Sequence, residues 1–233
     1  GPQGATTPVP TVLFFHGGWW KAGNKEDRMF LAEALPAEGV AYVSVGYPLT
    51  PGAPLRTLAD SATRAVEAAV KHLATAVGRT VPLVLTGNSA GGHLAAYATG
   101  TLAGTAHDAA ARGIVGMCVA SGLYDLTPMR ECFANEWLQL GEGDLKQLAP
   151  IHHLPAASLP MMVTAGALEP QGFIDQQTLY VDRLRAAGAE PDLYVAPEHD
   201  HFTVIGEFGR IGSPLYEWLL DRRPPAYGAV PER

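Results

Sequence analysis

The 233-residue sequence predicts an α/β fold in which a mostly parallel central sheet carries helices on both faces. Three observations predict it. Short apolar runs alternate along the chain with Ala-rich amphipathic runs, the pattern of strands joined by crossover helices. Several apolar runs are nearly continuous rather than alternating, as strands are when both sheet faces are covered. Pro and Gly punctuate the junctions, and Gly39 and Gly188 stand where helices would stop.

In chain order the candidate strands are Thr11–Phe15, Ala41–Val45, Leu83–Thr86, Ile114–Ala120, Met161–Ala165 and Asp192–Val195. The candidate helices are Glu26–Glu38, Leu55–Ala76, Gly91–Gly100, Phe173–Ala187 and Pro214–Leu220. No internal repeat is visible. Leu126–Pro160, rich in Pro, His and short polar turns, keeps no sustained period and is expected to form a cap-like insertion of short helices (residues 126–160). The tail, residues 222–233, carries Pro224, Pro225 and Pro231 and is expected to leave the domain as an ordered strap or a disordered end. A single domain over residues 1–233 is the default for this length.

Lys and Arg total 16 against 23 Asp and Glu, a formal charge of −7 with no basic block, which argues against nucleic acid as a partner. The longest apolar stretches fall short of the roughly 18 residues of a membrane span. Only Cys118 and Cys132 are present, in a chain that needs no disulfide staples, and no apolar signal segment precedes the first strand, so a cytoplasmic location is expected. The sequence opens on Gly1-Pro2, the form of a cleavage scar, so the missing leader carries little weight.

The chemistry centres on Gly87-Asn88-Ser89-Ala90-Gly91, which follows a strand-like run and opens a helix. Strand, sharp turn and helix is the context in which Gly-x-Ser-x-Gly exposes a nucleophilic serine, here Ser89. A tight turn requires small residues two positions either side, and Gly87 and Gly91 supply them. Directly after the first strand comes His16-Gly17-Gly18-Trp19-Trp20. Its glycines let the backbone approach a ligand, so the amides of Gly18 and Trp19, with that of Ala90 at the helix start, are assigned to an oxyanion hole. His16 is expected to brace this loop.

The nucleophile should be followed in the chain by an acid and then by a histidine. His201, in His199-Asp200-His201-Phe202 after the last strand, is the candidate base, with His199 as its alternative. Glu169, the first carboxylate after the strand Met161–Ala165, is the candidate acid. Asp175 falls inside the next helix. Asp125 could serve in a less common arrangement, or could instead tie down the insertion. No metal or organic cofactor is expected, because His152, His153, His199, His201 and Asp200 lack paired ligand spacings and no Cys cluster accompanies them. Trp19, Trp20, Tyr47, Tyr124, Trp137 and Phe202 fall in or near loops at the strand C-terminal ends and point to an aromatic acyl or leaving group; Trp20, Tyr47, Tyr124, Trp137 and Phe202 are the candidate substrate-binding residues.

With these residues in place, the chain resembles the kynurenine formamidase (arylformamidase) branch of the hormone-sensitive-lipase-like α/β-hydrolases. The carriers are His16-Gly17-Gly18-Trp19-Trp20, Gly46-Tyr47-Pro48-Leu49-Thr50-Pro51, Gly87-Asn88-Ser89-Ala90-Gly91-Gly92-His93, Ser121-Gly122-Leu123-Tyr124-Asp125-Leu126, Pro150-Ile151-His152-His153-Leu154-Pro155 and His201-Phe202. The segment Glu169-Pro170-Gln171-Gly172-Phe173-Ile174-Asp175-Gln176 is similar to the family's Pro-Glu-Phe-x-x-Gln run after its acid, with one residue inserted and Glu in place of the commoner Asp. The resemblance implies an α/β-hydrolase fold with a strand or two ahead of residue 11, for which this sequence has no room. It also implies a homodimer and hydrolysis of an N-formyl arylamine such as N-formylkynurenine. A carboxylesterase for small aryl or short-chain acyl esters uses the same residues and stays open, as does a non-catalytic module that keeps the pocket to bind a ligand.

Overall fold

The computed structural model describes residues 10–221, without the side chain of Arg28; the proline-bearing tail lies outside the described residues. Six strands, β1 (Thr11–Phe15), β2 (Ala41–Val45), β3 (Leu83–Asn88), β4 (Ile114–Ala120), β5 (Met161–Gly166) and β6 (Asp192–Ala196), form one sheet in the order β2-β1-β3-β4-β5-β6. Every pairing is parallel. The helices are α1 (Leu31–Ala37), α2 (Leu55–Val77), α3 (Ala90–Leu102), α4 (Ala106–Arg112), α5 (Thr127–Glu131), α6 (Asn135–Leu138), α7 (Glu142–Gln147), α8 (Gln171–Ala186) and α9 (Pro214–Asp221).

Strand period assigns the two faces. Leu13, Phe15, Leu83, Leu85, Met117, Val119 and Val163 point to a core shared with α2, α3 and α8. Their neighbours Val12, Phe14, Val84, Cys118 and Met162 point to a second core that α1 and α9 close with Leu31, Leu35, Leu215 and Leu219. Side chains are buried on both faces, which is why these strands read as continuous apolar runs.

Two helical expectations change. The single helix expected over Glu26–Glu38 is a 3-10 turn, Lys25–Arg28, followed by the shorter α1. Asn24 and Asp27 close a capping box around that turn, and this local pairing makes it a unit of its own. Helix α4 was not expected; Thr105 accepts from the Asp108 N–H at its start and Gly113, at φ 69°, ends it. The insertion takes the form of α5, α6, α7 and a 3-10 turn at Pro150–His152.

Candidate active site

Parallel strands carry their loops to one sheet edge, and β3 lies between β1 and β4 there. Ser89 joins β3 to α3 at φ 54°, ψ −124°, a backbone state unusual for a residue with a side chain. Its N–H donates to Ala120 O at 2.9 Å and its C=O accepts from His93 N at 3.0 Å, so strand and helix share the strain. The flanking glycines are required by contact: a Cβ on Gly91 would lie 2.0 Å from Phe15 O, and one on Gly87 would lie 2.4 Å from Gly91 O.

The Ser89 hydroxyl lies 3.0 Å from Nε2 of His201, and Nδ1 of His201 lies 2.7 Å from Oε2 of Glu169. An ionised carboxylate only accepts, so Nδ1 carries the proton and the Nε2 lone pair faces the serine hydroxyl. The other Glu169 oxygen accepts from Gly166 N–H at 2.7 Å and from the Ser121 hydroxyl. The Glu169 side chain is fully buried with both oxygens satisfied. Ser121 was not singled out from the sequence. It follows β4, level with the ends of β3 and β5, at φ 51°.

The other candidates have separate partners. Asp125 accepts from the N–H and hydroxyl of Thr127 at 2.9 and 2.8 Å and so ties down the start of α5. Gln176 grips the same stretch, accepting from Tyr124 N and Asp125 N and donating to Asp125 O, each at 2.8 Å. His199 Nε2 faces Glu207 at 3.0 Å. Asp175 accepts from Gln171 on the surface of α8.

The loop after β1 turns through three positive φ values, 124° at Gly18, 52° at Trp19 and 55° at Trp20. Its carbonyls are tied from behind: Gly18 O accepts from Lys21 N and Ala22 N, Trp19 O from Trp137 Nε1, and Trp20 O from the Thr50 N–H and hydroxyl. The N–H groups of Gly18 and Trp19 meet no acceptor among the described residues. The Tyr47 hydroxyl donates to His16 O, and the two rings stack with centroids 4.2 Å apart.

A largely apolar cavity of about 500 Å³ is walled by Trp19, Leu123, Met129, Phe173 and Leu179; Ser89 and His201 do not line it, and Phe173 is the wall residue in ring contact with His201. The Phe173 ring packs on His201 with centroids 4.0 Å apart. Of the loop aromatics singled out from the sequence, Trp19 lines this cavity and Trp20, Tyr47, Tyr124, Trp137 and Phe202 do not, for differing reasons. Trp20 is wholly buried, its Nε1 donating to His93 Nδ1 at 3.2 Å. Tyr124 is wholly buried and stacks on Tyr180. Tyr47 is committed to His16, and Trp137 to Trp19 O with Lys21 over its ring. Phe202, 82% exposed, stands edge-on to His201 at 5.7 Å and points to solvent. Burial pushes His93 down to about 4; its Nε2–H bond to Leu148 O opposes the shift, and the proximity of His153 adds to it.

Residues 1–181 match the family described as BD-FAE. The kynurenine formamidase of Danio rerio is 31% identical over 209 residues, covering 88% of this chain and 69% of its own length. That of Salmo salar is 30% identical over 210 residues, with the same shares of 88% and 69%. Among solved structures, a candidate thioesterase from Silicibacter sp. superposes with a TM-score of 0.78 at 28% identity, covering 91% of this chain and 76% of that one. An arylesterase with a TM-score of 0.72 and 19% identity, covering 94% and 78%, shares the α/β-hydrolase fold.

Proposed function

Since the chain belongs to the BD-FAE family and is an α/β-hydrolase acting on amide or ester carbonyls, we propose that it is an arylformamidase whose nucleophile is Ser89. The observation that carries the reading is the relay Ser89, His201, Glu169, with links of 3.0 and 2.7 Å. His201 takes the hydroxyl proton as Ser89 Oγ bonds to the formyl carbon, and the carbonyl electrons move onto oxygen. The amides of Gly18, Trp19 and Ala90 hold that oxyanion, each worth about 100-fold to 1000-fold in rate. Glu169 keeps the imidazole in its productive tautomer. His201 then returns the proton to the departing arylamine, and water releases formate from the serine ester.

The apolar cavity supports an aromatic leaving group, because its Phe173 wall is the ring that packs on the imidazole that protonates the amine. A formyl group asks for no space on the other side of the carbonyl. A chain of this size with only two cysteines, Cys118 and Cys132, fits a reducing compartment, so the location proposed is cytoplasmic; no helix among the described residues is long and apolar enough to cross a membrane. A homodimer belongs to the same reading by resemblance. A fluorophosphonate probe tests the nucleophile: labelling of the wild type and none of Ser89→Ala supports it, whereas label on both variants, or on neither with the fold intact, refutes it.

A further inference from the structure

The Glu207 carboxylate is a buried ionisable group that the chemistry above does not use. It sits in the 3-10 turn Val204–Phe208 with its side chain wholly excluded from solvent. Arg210 grips it through two hydrogen bonds of 2.6 and 2.8 Å, Tyr194 of β6 reaches it at 3.4 Å, and His199 Nε2 at 3.0 Å. Burial opposes its charge, yet the Arg210 hydrogen bonds and charge outweigh burial and hold the carboxyl below its ordinary range. From the other side the Ser213 hydroxyl, at the start of α9, donates to Glu207 O.

His199 is where this anchor meets the catalytic loops. It lies two residues before His201. Its carbonyl accepts from Leu168 N at 3.0 Å, in the loop that carries Glu169, and a Cβ on Gly166 would lie 2.1 Å from the same oxygen. The acid loop and the histidine loop are therefore fastened to each other at His199. Among the described residues the His199 side chain has one charged partner, Glu207, and its buried Nδ1 meets no hydrogen-bond partner. Loss of the Glu207 contact leaves the ring unanchored and the His199 backbone held by its bonds to Leu168 N and Ala196 O.

We propose that Glu207 is a positioning residue that sets the distance between Glu169 and His201 through His199; this rests on the reading of Ser89, His201 and Glu169 as the catalytic relay. Glu207 touches no reacting atom. Its contribution is alignment, and a displacement of about 1 Å in such a relay can cost on the order of 100-fold in rate.

The test uses the full chain with His199→Gln, Glu207→Gln and His201→Ala, with rates expressed per site titrated to completion by a fluorophosphonate. Both Gln variants are expected to lose about 10-fold to 100-fold in kcat with KM held within about twofold. Both are also expected to lose the downfield proton resonance of the Nδ1–H bond between His201 and Glu169. If Glu207→Gln does not fold, His199→Gln carries the test, since its ring is partly exposed and Glu207 keeps Arg210. Wild-type kcat per titrated site and an unchanged resonance in His199→Gln, with His201→Ala inactive, overturn the positioning role alone. Substantial activity in His201→Ala overturns the relay and the proposal with it.

Discussion

Ser121 donates its hydroxyl to Oε1 of Glu169, the oxygen that His201 leaves free. Removing that donor leaves a buried carboxylate oxygen with Gly166 N–H as its remaining partner. Ser121→Ala is expected to lower kcat on the order of 10-fold with KM unchanged, the worth of one hydrogen bond to a charged group. Steady-state kinetics on an aryl formamide checks it.

Glu169 and Asp125 are separable by substitution. Glu169→Gln is expected to lower kcat about 1000-fold to 10,000-fold, because an amide in place of the carboxylate disfavours the tautomer that faces Ser89. Asp125→Asn keeps kcat within a few-fold and lowers stability by about 1 kcal/mol through the weakened Thr127 contacts. Parallel activity and urea unfolding measurements on the two variants give the contrast.

The cavity wall offers a test of substrate orientation. Met129 is nearly buried at its edge. Met129→Trp fills space that an aryl group would use and is expected to raise KM for N-formyl arylamines about 10-fold or more. The rate of labelling by a small fluorophosphonate stays near wild type. Equal slowing of both reactions places the aryl group elsewhere.

His93 gives the fold a pH dependence whose sign follows from its burial. Its folded value of about 4 lies below the ordinary 6.5, so the unfolded chain binds the proton first as pH falls. Stability from this group is fully present above pH 6.5 and is lost towards pH 4, in all roughly 3 kcal/mol. Urea unfolding at pH 7 and pH 4.5 is expected to show a smaller acid-induced loss in His93→Gln than in the wild type. Equal losses contradict it.

Strands and loops were unequally legible in the sequence. The six strands begin at the predicted positions; in β1, β3, β4 and β5 burial on both faces leaves a nearly unbroken apolar signal, whereas the edge strands β2 and β6 are only partly buried. Ser89 was legible because β3, the sharp turn and α3 are consecutive, and its distant partners Glu169 and His201 because parallel topology puts every post-strand loop on one edge. The aromatic residues were not. Trp19 and Trp20 are adjacent and chemically identical, yet positive φ at both turns one ring to the cavity and buries the other against His93. No periodicity encodes that choice. Ser121 and Phe173 carry no signal of their own in the sequence, since a serine donating to a carboxylate 48 positions away and a ring packing on a distant histidine leave no local pattern.

The proposed substrate class is an aryl formamide. Purified protein assayed under matched conditions on N-formylkynurenine and on p-nitrophenyl acetate measures it most directly, as the ratio of the two kcat/KM values. For an arylformamidase the ratio is expected to lie well above one, with both activities lost in Ser89→Ala. Activity on N-formylkynurenine far below that on the ester contradicts it and makes the protein a carboxylesterase.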